Sequence, residues 1–390
     1  MRARLAPFAL FAALASLALP AQAAEAPGYY ASRAGLDADR ALLMDAWSGR
    51  SETVDRLRAR LETTPAPSIA ADGWSFLCNF DEHAGRYAQS ASACTKAIAA
   101  DPHGGDINTL AVVERLAGLP PPRSYGTARV PVTAGVHIPV RAGAYAGTAI
   151  ADTGAEISVM MQSVARQARV RILGASGNVG DTTGAVTGQI GLLPEVMIGN
   201  GVVKDLPVLV LPDAQLIITD GKEVVKLPFV LSLYALAGFG RVAWLDHDKF
   251  LALGRDAPAD FAAAVPMIWH PLGIAVPLDG PGGRRTAHFD SGANVSYLFD
   301  QALPLVSDAE RAQIVESTRK IGGVSGVVEE NIRKLPAASF TLAGQRLVLR
   351  NVDVAAAPQT GEAARLGEDV LANYGAVVFD FETMRFSVSP

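Results

Sequence analysis

Cysteine is scarce in this chain: two among 390 residues, Cys78 and Cys94. Two cysteines cannot make a structural zinc site alone. An excess of positive charge is missing as well. The 34 Lys and Arg stand against 39 Asp and Glu, a net charge of −5, which gives no basic footprint for nucleic acid. After residue 23 no apolar run is long enough to cross a membrane. What is present suffices for a large core: 49% of residues are apolar and 19% charged, outside the range of a disordered chain. The length suggests two or three domains.

The first residues carry a targeting pattern. Arg2 and Arg4 precede the apolar run 5–19, and Ala21-Gln22-Ala23 follows as a small-residue cleavage site. This reads as a Sec-type secretory signal peptide over 1–23, with a mature chain beginning near Ala24 in the periplasm or outside the cell. No Cys lies near the cleavage point to take a lipid. In an exported chain, an even and closely spaced pair such as Cys78 and Cys94 points to a disulfide.

Two textures follow. From 36 to 119 apolar residues recur at helical spacing, as in Leu42, Leu43, Ala46, Val54, Leu57 and Leu61. A last helix is expected at about 108–117, and the prolines at 120–122 stiffen a linker. From Arg123 onward alternating apolar residues, Gly and Pro replace that spacing, and this strand-like texture occurs twice. Each copy closes on a strand pair, turning at 246–249 in the first and 382–384 in the second. The expected fold is mainly β in its C-terminal part, as two pseudo-symmetric lobes, with an all-α N-terminal segment. The expected divisions are 24–122 for helices and linker, 123–258 for lobe one and 259–390 for lobe two.

Each copy contains nearly the same short run: Ala151-Asp152-Thr153-Gly154-Ala155 and Phe289-Asp290-Ser291-Gly292-Ala293. Asp is depleted in strands and costly to bury. A chain that ends an apolar strand on Asp twice, 138 residues apart, points to two carboxylates meant for one place. One such turn is common; two inside matching copies are not. With these runs the segment from about 125 to 390 resembles the retropepsin-like aspartic proteases in a bilobal, single-chain form. A second shared element is the apolar-Gly step late in each lobe, here Leu366-Gly367; the first lobe departs from it with Ser232. Separately, Trp74, Leu77, Tyr87, Cys94, Ala97 and Pro102 fall at offsets that resemble one degenerate tetratricopeptide unit. In such a helical hairpin Cys78 and Cys94 would face each other.

The resemblance implies roles. Asp152 and Asp290 would face one another, share one proton and titrate as a unit. Thr153 and Ser291 would bond across the lobe interface, and Gly154 and Gly292 would let the backbone turn behind each carboxylate. The Gly/Thr-rich stretches 180–188 and 321–328 would be flaps over the cleft, with Thr182, Thr183 and Gly184 at the first and Gly323, Val324 and Ser325 at the second. No metal and no cofactor are implied. The partners implied are a peptide or protein substrate and, through the N-terminal helices, a further protein. Ala155 and Ala293 lack a hydroxyl that would lower the carboxylate pKa, so weakly acidic to neutral activity is expected. The alternatives are a non-catalytic periplasmic peptide- or protein-binding module on the same fold, and a zymogen whose residues 24–122 cover the cleft. His288, two residues before Asp290 on the same strand face, reads as a surface or core histidine rather than one that tunes the dyad, and Asp246-His247-Asp248 reads as a polar turn rather than a metal site.

Overall fold

The structure is a computed structural model. It describes residues 36–390 apart from 64–66, 103, 105, 134, 182–183, 221–222, 260–262, 271–272, 324–325 and 357–360. The signal-like segment 1–23 lies outside the described residues.

Five helices come first: α1 (Ala38–Ala46), α2 (Ser51–Thr63), α3 (Pro67–His83), α4 (Tyr87–Ala100) and α5 (Asp106–Leu116). Asp37 caps α1, its carboxylate accepting from the Arg40 N–H at 2.8 Å. Helix α2 buries Thr53, Val54, Leu57 and Leu61, one stripe at helical spacing. Asp81 in α3 is fully buried and paired on both oxygens, with Arg58 at 2.8 Å and Arg86 at 2.7 Å. That fork ties α2 to the α3–α4 turn. Cys78 and Cys94 form a disulfide across the α3–α4 hairpin. Helix α5 starts two residues before the sequence expectation because Asp106 is buried and accepts from the Ser75 hydroxyl at 2.9 Å.

The remainder is mainly β. One eight-stranded sheet runs in the order 123–125, 201–211, 158–161, 229–231, 145–151, 137–142, 184–198, 171–181. A second has the order 268–270, 273–280, 283–289, 364–366, 297–299, 345–355, 326–342, 315–323. The inner orders correspond strand for strand. Strand Phe229–Leu231 lies parallel to Tyr145–Ala151, as Ala364–Leu366 lies parallel to Gly283–Phe289. Each sheet also carries a long hairpin, Arg171–Asp181 with Gly184–Ile198 and Val315–Gly323 with Gly326–Leu342.

A six-stranded sheet joins the two halves. Its centre is the antiparallel pair Arg241–Leu245 and Ala376–Asp380, one strand from each copy. The turn at 246–249 sits at the end of the first of these strands, and Asp246, His247 and Asp248 all take positive φ there. Beneath the second Asp loop, Phe289 packs edge-on to Phe379, with ring centroids 5.0 Å apart, and Phe386 lies 5.1 Å from Phe379. All three rings are fully buried. Each such ring contributes roughly 1.5–3 kcal/mol through burial, and together they fix the height of the loop above the shared sheet.

The helices lean on this body at several points, one of them the stacked rings of His83 and Tyr234. The Trp269 N–H donates to the Trp47 carbonyl at 2.8 Å. Helix α5 packs on strand Arg171–Asp181, where Arg115 covers Gly174. Among the described residues no helix is long and apolar enough to cross a membrane.

Candidate active site

Asp152 and Asp290 occupy matching positions. Each follows the last residue of a strand, Ala151 or Phe289. Each donates its backbone N–H to a leucine carbonyl on the neighbouring parallel strand, Leu231 at 2.9 Å and Leu366 at 2.8 Å. Each carboxylate turns back to accept from its own loop: Oδ1 of Asp152 from Gly154 N–H at 2.8 Å, and Oδ1 of Asp290 from Gly292 at 3.1 Å and Ala293 at 3.2 Å.

The glycines show how closely the loops meet. A Cβ on Gly154 would sit 2.3 Å from Cγ of Asp290, and one on Gly292 would sit 2.4 Å from Cγ of Asp152. Each carboxyl therefore lies over the other loop's glycine. Neither glycine has a positive φ. The turn anticipated from sequence is present at Thr153-Gly154 and Ser291-Gly292, and space for the opposing carboxyl is what requires glycine in it.

Thr153 and Ser291 interlock reciprocally. The Thr153 N–H donates to Ser291 Oγ at 3.0 Å, and the Ser291 N–H donates to Thr153 Oγ1 at 2.9 Å. The hydroxyls then donate across the divide, Thr153 to the Phe289 carbonyl at 2.9 Å and Ser291 to the Ala151 carbonyl at 2.7 Å. All of these groups are buried, so each bond lost would strand a polar atom.

Behind each loop sits a serine. Ser296 Oγ accepts from the Gly367 N–H at 2.9 Å and donates to Asp369 at 2.6 Å. Ser158 Oγ accepts from the Ser232 N–H at 3.1 Å and donates to Ser232 Oγ at 3.1 Å. Ser232 is thus accommodated: its hydroxyl also accepts from the Ala235 N–H, capping helix Leu233–Ala237. Position 367 has no such room, since a Cβ there would lie 2.5 Å from the Ala293 carbonyl oxygen.

Both carboxyls are fully buried. Burial pushes Asp152 well above the usual carboxylate range, and the Asp290 charge adds to the shift. Burial also raises Asp290, but the Arg365 guanidinium and a hydrogen bond from Asp152 oppose it.

The two hairpins end at Asp181 paired with Gly184 and at Gly323 paired with Gly326. Thr182, Thr183, Val324 and Ser325 lie outside the described residues, while Gly184 opens one strand and Gly323 closes another. Among the described residues no group of three or more His, Cys, Asp or Glu is arranged to hold a metal ion. Sequence reasoning missed a buried polar group beside Asp290, formed by Arg365, Glu362 and Tyr297, with His288 adjoining it. Laying the two copies side by side would have exposed it, because Ile150, Val230 and Val159 stand at the corresponding sheet positions of the first.

Residues 138–219 match the family model described as gag-polyprotein putative aspartyl protease. That stretch is thus similar to an aspartyl protease. The matched stretch contains the Asp152 loop and the first long hairpin; the Asp290 loop lies beyond it. No curated protein matches the chain.

Proposed function

We propose that this chain is an aspartic endopeptidase in which Asp152 and Asp290 share one proton and activate a water molecule against a peptide bond. The observation that carries this reading is the reciprocal seating of each carboxyl over the other loop's glycine, held by the crossed Thr153 and Ser291 bonds. Two carboxyls so close cannot both ionise comfortably, which sets up one acid and one base in a single site.

The ionised carboxylate takes a proton from water as the water oxygen bonds to the carbonyl carbon. The protonated carboxyl donates a hydrogen bond to the carbonyl oxygen, stabilising the charge that develops there. Collapse of the tetrahedral adduct transfers a proton to the amide nitrogen and breaks the C–N bond. The backbone N–H groups of Gly154, Gly292 and Ala293 hold the carboxylates in place before substrate arrives. Because both carboxyls are buried, substrate reaches them only after covering elements move, and the two long hairpins suit that role.

In this reading 123–258 and 259–390 are the two lobes, 24–122 is the helical segment with its linker, and 1–23 is removed on export to the periplasm or beyond. The packing of α5 on strand Arg171–Asp181 supports a bracing role for the helices, with docking of a protein partner as a further use. The test compares the mature chain with Asp152→Asn and Asp290→Asn on a mixed peptide library. Cleavage by the parent and loss in both variants is expected. Cleavage surviving either change removes the dyad from the mechanism, and a parent that binds peptides without cleaving them is a binding module.

A further inference from the structure

The frame around the two Asp loops is duplicated, but its charge is not. On the first sheet the positions flanking Asp152 are Ile150, Val230 and Val159, paired side by side and buried. The same register on the second sheet places His288, Arg365 and Tyr297 beside Asp290. Arg365 is only 7% exposed. Its Nη1 lies 3.9 Å from Oδ2 of Asp290, and its Nη2 lies 3.3 Å from Oε1 of the fully buried Glu362. The guanidinium carbon also sits 5.7 Å from the Tyr297 ring centre.

A buried arginine needs a compensating anion. Here two are offered, and one is half of the dyad. We propose that Arg365 is a positioning residue that fixes the proton asymmetry of the site: it holds Asp290 as the ionised member, the base, and leaves the proton on Asp152, the acid. This deepens the aspartic-protease reading and rests on it for its catalytic meaning. In an electrostatically symmetric pair the proton is shared evenly, and either carboxyl serves as base. A cation beside one carboxyl removes that degeneracy.

The other charged or titratable neighbours fit the assignment. Asp152 faces Asp290 from the opposite loop. Glu362 divides the Arg365 charge. His288 Nδ1 lies 4.0 Å from Oε2 of Glu362. Arg319 covers the Tyr297 ring at 4.5 Å, adding positive charge behind the ring. A cation within 4–6 Å lowers a carboxylate's pKa by about one to three units. Since Glu362 takes part of the charge, about one unit is expected.

The test reads the carboxyl groups directly. The mature chain is labelled with [4-13C]aspartate, the two signals are assigned with Asp152→Asn and Asp290→Asn, and their shifts are followed from pH 3 to 9. Asp290 should ionise at lower pH than Asp152. Arg365→Leu should raise the Asp290 midpoint by about one unit, Glu362→Gln should lower it, and Arg365→Lys should restore part of the parent order. Because Arg365→Leu strands a buried Glu362, the double variant Arg365→Leu/Glu362→Leu is run beside it; its Asp290 midpoint should also lie above the parent's. Midpoints unmoved in these variants, or Asp152 ionising first in the parent, would overturn the assignment. Cleavage of fluorescein-labelled casein by the same proteins separates the two claims. An acidic limb that moves upward in Arg365→Leu supports both. Parent protein that cleaves nothing while the carboxyl shifts behave as stated refutes the protease reading and leaves the Arg365 assignment standing.

Discussion

Gly292→Ala is the sharpest perturbation the site offers. The added methyl would stand 2.4 Å from Cγ of Asp152. Carbon atoms rest at roughly 3.5 Å or more, so a gap of about 1 Å must open. Two routes exist. The loops can separate, which stretches the crossed Thr153 and Ser291 bonds, or Asp152 can swing aside, which breaks its bond from the Gly154 N–H. Overpacking of this kind costs about 1–3 kcal/mol of stability. A misplacement of about 1 Å in a reacting group costs on the order of 100-fold in rate, or about 2.7 kcal/mol at the transition state. Gly154→Ala should behave alike, because its methyl would meet Asp290 at 2.3 Å. The measurements are urea unfolding and kcat on a fluorogenic peptide selected from the library. A Gly292→Ala protein within about threefold of the parent in kcat, and as stable, would refute the claim that the carboxyls converge over the glycines.

Three further outcomes are expected. Asp152 has a folded-state pKa above its unfolded value, so its contribution to stability is full at low pH and is lost as pH rises through the folded pKa. The melting temperature of the parent should therefore fall relative to Asp152→Asn between about pH 4, the unfolded value, and pH 8; parallel curves would contradict the burial argument. Ser296→Ala should cost more than Ser158→Ala in urea unfolding, by about 1 kcal/mol, because Ser296 donates to a half-buried carboxylate and Ser158 to a hydroxyl. Reducing the Cys78–Cys94 bridge, which closes a 16-residue separation, should lower stability by about 3 kcal/mol if the entropic account holds; denaturant midpoints with and without dithiothreitol decide it.

The doubled Asp runs were legible because they are local, and the two textures were legible because period and turn residues are local too. Helix α5 began earlier than its spacing implied because Asp106 is held by Ser75, 31 residues away, a contact no window reveals. The turns at Gly154 and Gly292 were legible, but the demand for glycine in them was not, for the same cause. Their constraint comes from a side chain 136 or 140 residues away rather than from their own dihedrals. Ser232 looked like a departure from the glycine of the proteases the chain resembles, yet its hydroxyl caps the following helix and bonds Ser158. Arg365 was passed over beside the Leu366-Gly367 step. A cation there makes sense only beside Glu362 and Asp290, and sequence spacing did not join all three.

A single chain has a physical advantage at such a site. The crossed hydroxyl bonds and the shared sheet demand near-identical backbones on both sides of the axis, and those are met by matching strands and loops. The chemistry demands the opposite, one acid and one base. Two identical halves, each with an arginine like Arg365, would hold both carboxylates ionised and leave no proton for the carbonyl oxygen; two halves without one would leave the roles interchangeable. Duplication within one polypeptide lets the backbone stay symmetric while residues two positions before each Asp, and on the neighbouring strand, diverge. Ile150 and Val230 against His288 and Arg365 are that divergence. Its cost is confined to burying the Arg365–Glu362 pair in the second half, away from the interlock that sets the geometry.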